Sequence, residues 1–229
     1  MRTSPSPRAR PVWQTRAWRV VSFLLLILTC TIAAPARSAS FDESADVLIQ
    51  AGHEGRPDCN REPRSLCNNT GAAGEIRWTP IVADEATRIL RAAGITVLRK
   101  PAFLPGTYRV RDAVFIHFDG SVPACRTGAS VGYPRTKHSA AAASGWKSLY
   151  RRFFPFAFEP DNFTKNLATY YGYHHVVADD AALVIEGSEI SCPLQHAWSG
   201  RRLKFEGALI AHFLSRRLGK GNVPLPTAP

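Results

Sequence analysis

The sequence contains no Cys-x-x-Cys pair, no internal repeat, no domain linker and no nucleic-acid-binding motif. Aromatic and basic residues nowhere interleave in a stripe. The first absence discounts a zinc site built from cysteines alone, because structural zinc ligands come in such closely spaced pairs. The missing motifs and stripe remove the usual footprints of DNA or RNA binding, so no nucleic-acid partner is expected. Long apolar runs are lacking as well. Val20 to Ala34 is apolar but short of the ~20 residues a membrane-spanning helix needs. Acidic residues are scarce, 18 against 29 basic.

What surrounds the apolar run explains it. Arg2, Arg8, Arg10, Arg16 and Arg19 precede it, and the small residues of Ala34-Pro35-Ala36-Arg37-Ser38-Ala39 follow. Basic, then apolar, then small is the order of a secretory signal peptide. Residues 1–38 are therefore expected to be a signal peptide cleaved after Ala36 or Ser38, leaving no transmembrane segment. An uncleaved anchor is the alternative, and bulky Thr29 argues against lipidation at Cys30. The mature chain is expected to be exported, either periplasmic or secreted. Six basic residues and no acidic ones leave with the leader, so 23 basic face 18 acidic. A balance of about +5 suits an anionic cell-envelope polymer and is weak for nucleic acid.

Cys59, Cys67, Cys125 and Cys192 remain. An even count in an exported protein favours two disulfides, and three pairings are open. Cys59–Cys67 would close a short loop and leave Cys125–Cys192. About 190 residues suffice for one domain with a single core. That domain is expected over residues 39–218, as a monomer, with a loose Pro-rich tail over 219–229.

Along the chain, Val47 to Ile49 reads as a buried strand entering the glycine-flanked turn Gly52-His53-Glu54-Gly55. Glu75 opens a helical pattern through Ala93, stopped by Gly94, with Pro80 near its first turn. Ile95 to Leu98 and Ala113 to Ile116 read as strands, the second ending at His117. Ser139 to Phe154 and Lys165 to Tyr173 are helical in pattern, and Ala181 to Ile185 is a strand ending at Glu186. A last helix spans Arg201 to Leu218. This alternation is an α/β pattern.

Three apolar strands thus end in an ionisable residue, His53, His117 and Glu186, and Glu75 heads a helix. In open α/β sheets, ligands gather at the carboxyl ends of strands. Two histidines and a carboxylate form a common catalytic zinc set, and a second carboxylate can serve as general base.

The same stretches resemble the zinc-dependent N-acetylmuramoyl-L-alanine amidases of the amidase-3 type. The resemblance is carried by Ile49-Gln50-Ala51-Gly52-His53, Gly74-Glu75-Ile76, Val97-Leu98-Arg99, Asp112 to His117 and Leu183 to Glu186. Gly128 to Tyr133 is similar to the strand after the second histidine. The resemblance implies a twisted, mostly parallel sheet with helices on both faces. It implies that His53, Glu75 and His117 bind Zn2+ and that Glu186 is the general base. The implied reaction is attack of zinc-bound water on the amide between N-acetylmuramic acid and L-alanine of peptidoglycan, the expected substrate. The pattern departs from that family at Glu54 after His53, at Phe115-Ile116-His117-Phe118-Asp119, at Gly187-Ser188-Glu189, in the segment 155–177 and in the cysteines. These departures leave two rivals: a same-fold zinc amidohydrolase or peptidase with another substrate, and a catalytically silent envelope-binding protein. A third, an exported effector aimed at another cell's wall, shares all these features.

Other residues weigh less. Glu54 reads as a solvated turn residue, with orientation of a metal ligand as the alternative. Glu189 is second choice for general base, because strand alternation turns it away from Glu186. His174 and His175, beside Tyr170, Tyr171 and Tyr173, read as a surface cluster or the lining of a substrate groove. His138, His196 and His212 read as ordinary polar residues. The pairs Arg151-Arg152, Arg201-Arg202 and Arg216-Arg217 read as solvated faces.

Overall fold

The computed structural model describes residues 40–56 and 70–229. The expected leader, Cys59 and Cys67 lie outside the described residues. Five strands form one sheet: β1 (Glu43–Ala51), β2 (Val97–Lys100), β3 (Tyr108–Asp119), β4 (Ser130–Gly132) and β5 (Val176–Glu189). Their order is β2-β1-β3-β5-β4. All neighbours are parallel except β4, which runs antiparallel to β5. The mostly parallel α/β sheet expected from sequence is what forms.

The strands extend beyond the apolar runs that announced them, because ladder pairing continues where side chains turn polar. Glu43 pairs with Tyr108 and Tyr108 with Val176, well before the apolar cores of those strands. The long helices α1 (Glu75–Ala92), α2 (Lys137–Tyr150) and α5 (Leu203–Leu218) pack on one face. There Val47, Ile49, Val114, Ile116, Leu183 and Ile185 meet Val82, Ala86, Trp146 and Leu209. The alternate residues Leu48, Phe115, Ala182 and Val184 face the other side. That face is covered by Leu104, the short α3 (Lys165–Ala168) and a 3-10 turn over Tyr171–His174. Helices therefore lie on both faces, but the second layer is thin.

α1 ends as expected, with Gly94 at φ 75° and the Ile95 amide donating to the Leu90 carbonyl at 3.0 Å. Pro80 sits in its second turn rather than its first, where it withholds an amide from the Ile76 carbonyl. An additional helix, α4 (Pro193–Gly200), precedes α5. The segment after Leu218 is docked rather than loose over its first residues. Val223 is buried, its amide donates to Ser215 Oγ at 3.0 Å, and its carbonyl meets His212 Nδ1 at 2.8 Å. Arg217 is no solvated cation. It reaches the buried carboxylate of Asp112 at 2.8 Å.

Glu206, in the first turn of α5, is buried with Oε1 lacking a hydrogen-bond partner. Burial pushes its carboxyl up to about 8, against the opposing effect of the Tyr150 hydroxyl. Between its ordinary value and about 8 the folded protein holds a proton that the unfolded chain has released, so stability falls as pH rises through that window. Glu206→Gln should flatten this slope and raise stability above pH 8 by on the order of 4 kcal/mol. Urea unfolding of both proteins at several pH values measures it.

Candidate metal centre

β1 runs into a turn whose geometry few sequences tolerate. The Gly52 amide donates to the Ile116 carbonyl at 2.8 Å, and the Gly52 carbonyl accepts from Thr79 Oγ1 of α1 at 2.5 Å. A Cβ on Gly52 would sit 2.3–2.6 Å from ring atoms of His117, so only glycine lets the turn pass over that imidazole. His53 follows at φ 61°, a left-handed backbone that is uncommon for residues other than glycine. That conformation aims its ring at His117, with centroids 4.9 Å apart and planes perpendicular.

Glu75 arrives from the opposite side. As the first residue of α1, it crosses the edge of the sheet to the two histidines. His117 Nδ1 lies 3.0 Å and His53 Nε2 3.4 Å from Glu75 Oε1. The ligating atoms of the three residues all lie within 4.8 Å of one another. Backbone amides hold the carboxylate in place: Phe118 donates to Oε1 at 2.9 Å and Ala72 to Oε2 at 2.8 Å. Burial raises the Glu75 carboxyl, but its bond to His117 and the charges of both histidines outweigh burial and hold it below its ordinary value.

The donor set fits a zinc ion. Ligand atoms 2.0–2.1 Å from a tetrahedral ion are about 3.3 Å apart, close to the separations from Glu75 Oε1. Two imidazoles and one carboxylate also leave a fourth position for a reacting oxygen.

Glu186 is the cross-strand neighbour of His117 in the parallel β3–β5 ladder. Its Oε2 is buried with no hydrogen-bond partner. Burial, then the charges of Glu75 and Asp119, push its carboxyl well above the ordinary range. Two clefts meet at these residues. One, of about 490 Å3, is lined by His53, His117 and Glu186 together with Phe163, Tyr170 and Tyr171. The other, of about 500 Å3, leads from the same three residues toward Gly71, Ala72 and Ser121. The thin second layer of the sheet lines the first cleft, and the loops before α1 and after β3 line the second.

All four site residues read from the sequence are thus brought together. Glu189 is not among them. β5 carries one extra residue between Glu186 and Glu189 relative to β3, and the resulting bulge turns Glu189 into the loop after β3. There it accepts from the Cys125 and Thr127 amides, both at 2.6 Å, and from Ser121 and Ser191 hydroxyls at 2.8 and 2.5 Å. The Cys125–Cys192 disulfide closes the same loop. Burial opposes ionisation of Glu189, but these donors prevail and hold it at about 2.

Glu54 is no solvated turn residue either. Its two oxygens take the Arg99 guanidinium at 2.6 and 3.0 Å, tying the His53 turn to β2. His175 bonds the Gly106 carbonyl, His196 packs on Trp78, and His174 lines a separate cleft with Arg135 and Lys165. Of the expected groove cluster, Tyr170 and Tyr171 alone reach the cleft at the metal centre. Sequence reading missed two participants. Asp119 lines both clefts with Oδ2 buried and unpartnered, and it lies two residues past His117 on the same strand face. Gln50 is fully buried although it ends an apolar run, an anomaly visible in the sequence.

No protein-family model matches the chain, and no curated protein does. Solved structures do. The catalytic domain of CwlV, an N-acetylmuramoyl-L-alanine amidase from Bacillus (Paenibacillus) polymyxa var. colistinus, matches at TM-score 0.55 and 16% identity, over 78% of this chain and 99% of that one. The N-acetylmuramyl-L-alanine amidase Ami1 from Mycobacterium smegmatis matches at 0.53 and 18%, over 80% and 99%. Cwp6 from Clostridium difficile matches at 0.53 and 16%; 78% of this chain is covered, but it spans only 30% of that protein. The chain therefore has the fold of N-acetylmuramoyl-L-alanine amidase catalytic domains. At that level the resemblance read from its sequence holds.

The hydrogen-bonded Glu189 should stabilise the loop beside the centre only while ionised. As pH falls from the ordinary carboxylate range toward about 2, the folded protein resists protonation and loses stability. Glu189→Gln should lower stability at pH 7 and remove that acid dependence. Denaturant titrations at pH 7 and pH 3 measure both effects.

Proposed function

We propose that the chain is an exported zinc-dependent amidohydrolase that cleaves the amide between N-acetylmuramic acid and L-alanine in peptidoglycan. His53, Glu75 and His117 hold the metal, and Glu186 is the general base. The observation that carries this reading is the three-residue donor set with Glu186 on the adjacent strand, at the carboxyl edge of an amidase-type sheet. The two clefts support it further, since a muramyl peptide has a glycan arm and a peptide arm that leave its scissile bond in different directions.

Bound between the three ligands, zinc supplies a Lewis acid that polarises the amide carbonyl and acidifies water. The chain's residues do the rest. Glu186, beside His117 and open to both clefts, accepts a proton from the attacking water and delivers it to the departing nitrogen. Burial and the neighbouring charges of Glu75 and Asp119 suit the first half of that exchange, because a carboxylate shifted upward is the stronger base toward the attacking water. Phe163, Tyr170 and Tyr171 wall one cleft beside the reacting bond. Residues 1–38 are the export signal in this reading, and residues 39–218 the catalytic domain.

A same-fold hydrolase with another amide substrate is the second reading. It is favoured by Asp119, an acidic residue placed where both clefts meet.

Incubating the protein and zinc with purified peptidoglycan should release stem peptides beginning in L-alanine, identified by mass spectrometry. Glu186→Gln should reduce turnover by about a thousandfold or more while zinc content stays unchanged. Intact peptidoglycan from a zinc-loaded wild type would exclude this substrate. Release of the same peptides by Glu186→Gln at the wild-type rate would exclude Glu186 as base.

A further inference from the structure

We infer that Tyr170 and Gln50 are positioning residues that lock His117 in the one tautomer able to bind a metal through Nδ1. The inference rests on reading His53, Glu75 and His117 as a metal centre. It names two residues outside the ligand set on which that centre depends.

The direction of the hydrogen-bond chain follows from one backbone carbonyl. Gln50 Nε2 lies 2.9 Å from the Ala102 carbonyl oxygen, which can only accept. The amide nitrogen of Gln50 therefore faces Ala102 and also donates to the Tyr171 hydroxyl at 2.8 Å. This leaves Gln50 Oε1, an acceptor, facing the Tyr170 hydroxyl at 2.7 Å. Tyr170 must donate its one proton to Gln50. Toward His117 Nε2, 3.1 Å away, the phenol oxygen can then only accept. His117 accordingly keeps a proton on Nε2, so in the neutral ring it is Nδ1 that is the acceptor, 3.0 Å from Glu75 Oε1. In the neutral ring two acceptors face each other at that spacing, and either a proton or a metal ion between them satisfies both.

The chain is built to hold this order. Gln50 is fully buried, so neither end of its amide can exchange its partner for water. Tyr170 packs against Phe115 and Tyr173, with ring centroids 5.0 and 5.9 Å away, which fixes the hydroxyl laterally. Metal-binding histidines are generally oriented by what their second nitrogen bonds, and losing that partner costs about 10–100-fold in metal affinity. Here the partner is a phenol whose polarity is dictated two bonds away.

The test is zinc affinity at pH 7, measured by competition with a chromophoric chelator, beside 15N spectra of the histidine ring nitrogens in the zinc-free protein. Wild type should bind one zinc and show His117 protonated on Nε2. Tyr170→Phe keeps the ring and removes the hydroxyl; it should bind zinc about 10–100-fold more weakly and show mixed tautomers. Gln50→Met should do the same. Tyr173→Phe removes a neighbouring hydroxyl that donates to the Leu167 carbonyl and should change neither readout. Unchanged affinity in Tyr170→Phe, or a wild-type His117 protonated on Nδ1 and bare on Nε2, overturns the inference. A wild type that binds no zinc overturns the metal reading instead, while its ring-nitrogen spectrum still decides the direction of the relay.

Discussion

Parallel pairing of β1, β3 and β5 is the constraint on which the site depends. Ala51, the last residue of β1, lies beside Ile116, and one step further along β3 His117 lies beside Glu186. Side chains on a parallel ladder have no freedom to slip by one residue. A slip would send His117 and Glu186 to the helix-covered face and their apolar neighbours into the clefts. The register is held by burial on both faces, where Ile49, Val114 and Leu183 point one way and Leu48, Phe115 and Val184 the other. Geometry at the centre is thus an outcome of the core.

Two local exceptions convert that edge into a site. Gly52 permits the approach of backbone to the His117 ring, and His53 accepts a left-handed backbone to aim back across it. Glu75 completes the set only because α1 begins at that residue and packs on the far face. Surrounding interactions stiffen the parts that would otherwise move. Glu54 and Arg99 clamp the first turn, while Glu189 and the Cys125–Cys192 disulfide fix the loop after β3.

Much of this was legible in the sequence, because burial on both faces makes parallel strands read as plain apolar runs. Val47 to Ile49, Ala113 to Ile116 and Ala181 to Ile185 mark the strands, and the polar residues that end them mark the site. What escaped depends on three-dimensional departures from regularity. The β5 bulge redirects Glu189, and no pattern in Gly187-Ser188-Glu189 announces an extra residue. Glu54 reads as solvated until β2 lies beside its turn and brings Arg99. The Tyr170 hydroxyl meets Gln50 across 120 residues of chain, a contact that no local periodicity carries. Asp119 needed only the two-residue step from His117, but its significance depends on Glu186 arriving alongside.

The proposed chemistry turns on one position, among the ligating atoms of His53, Glu75 and His117, which all lie within 4.8 Å of one another. Diffraction from crystals grown with zinc, collected above the zinc absorption edge, tests that position directly. A single strong anomalous peak touching His53 Nε2, Glu75 Oε1 and His117 Nδ1, with Glu186 facing its open side, is the expected result. Zinc bound elsewhere, or a His117 ring turned so that Nε2 meets the ion, would contradict it.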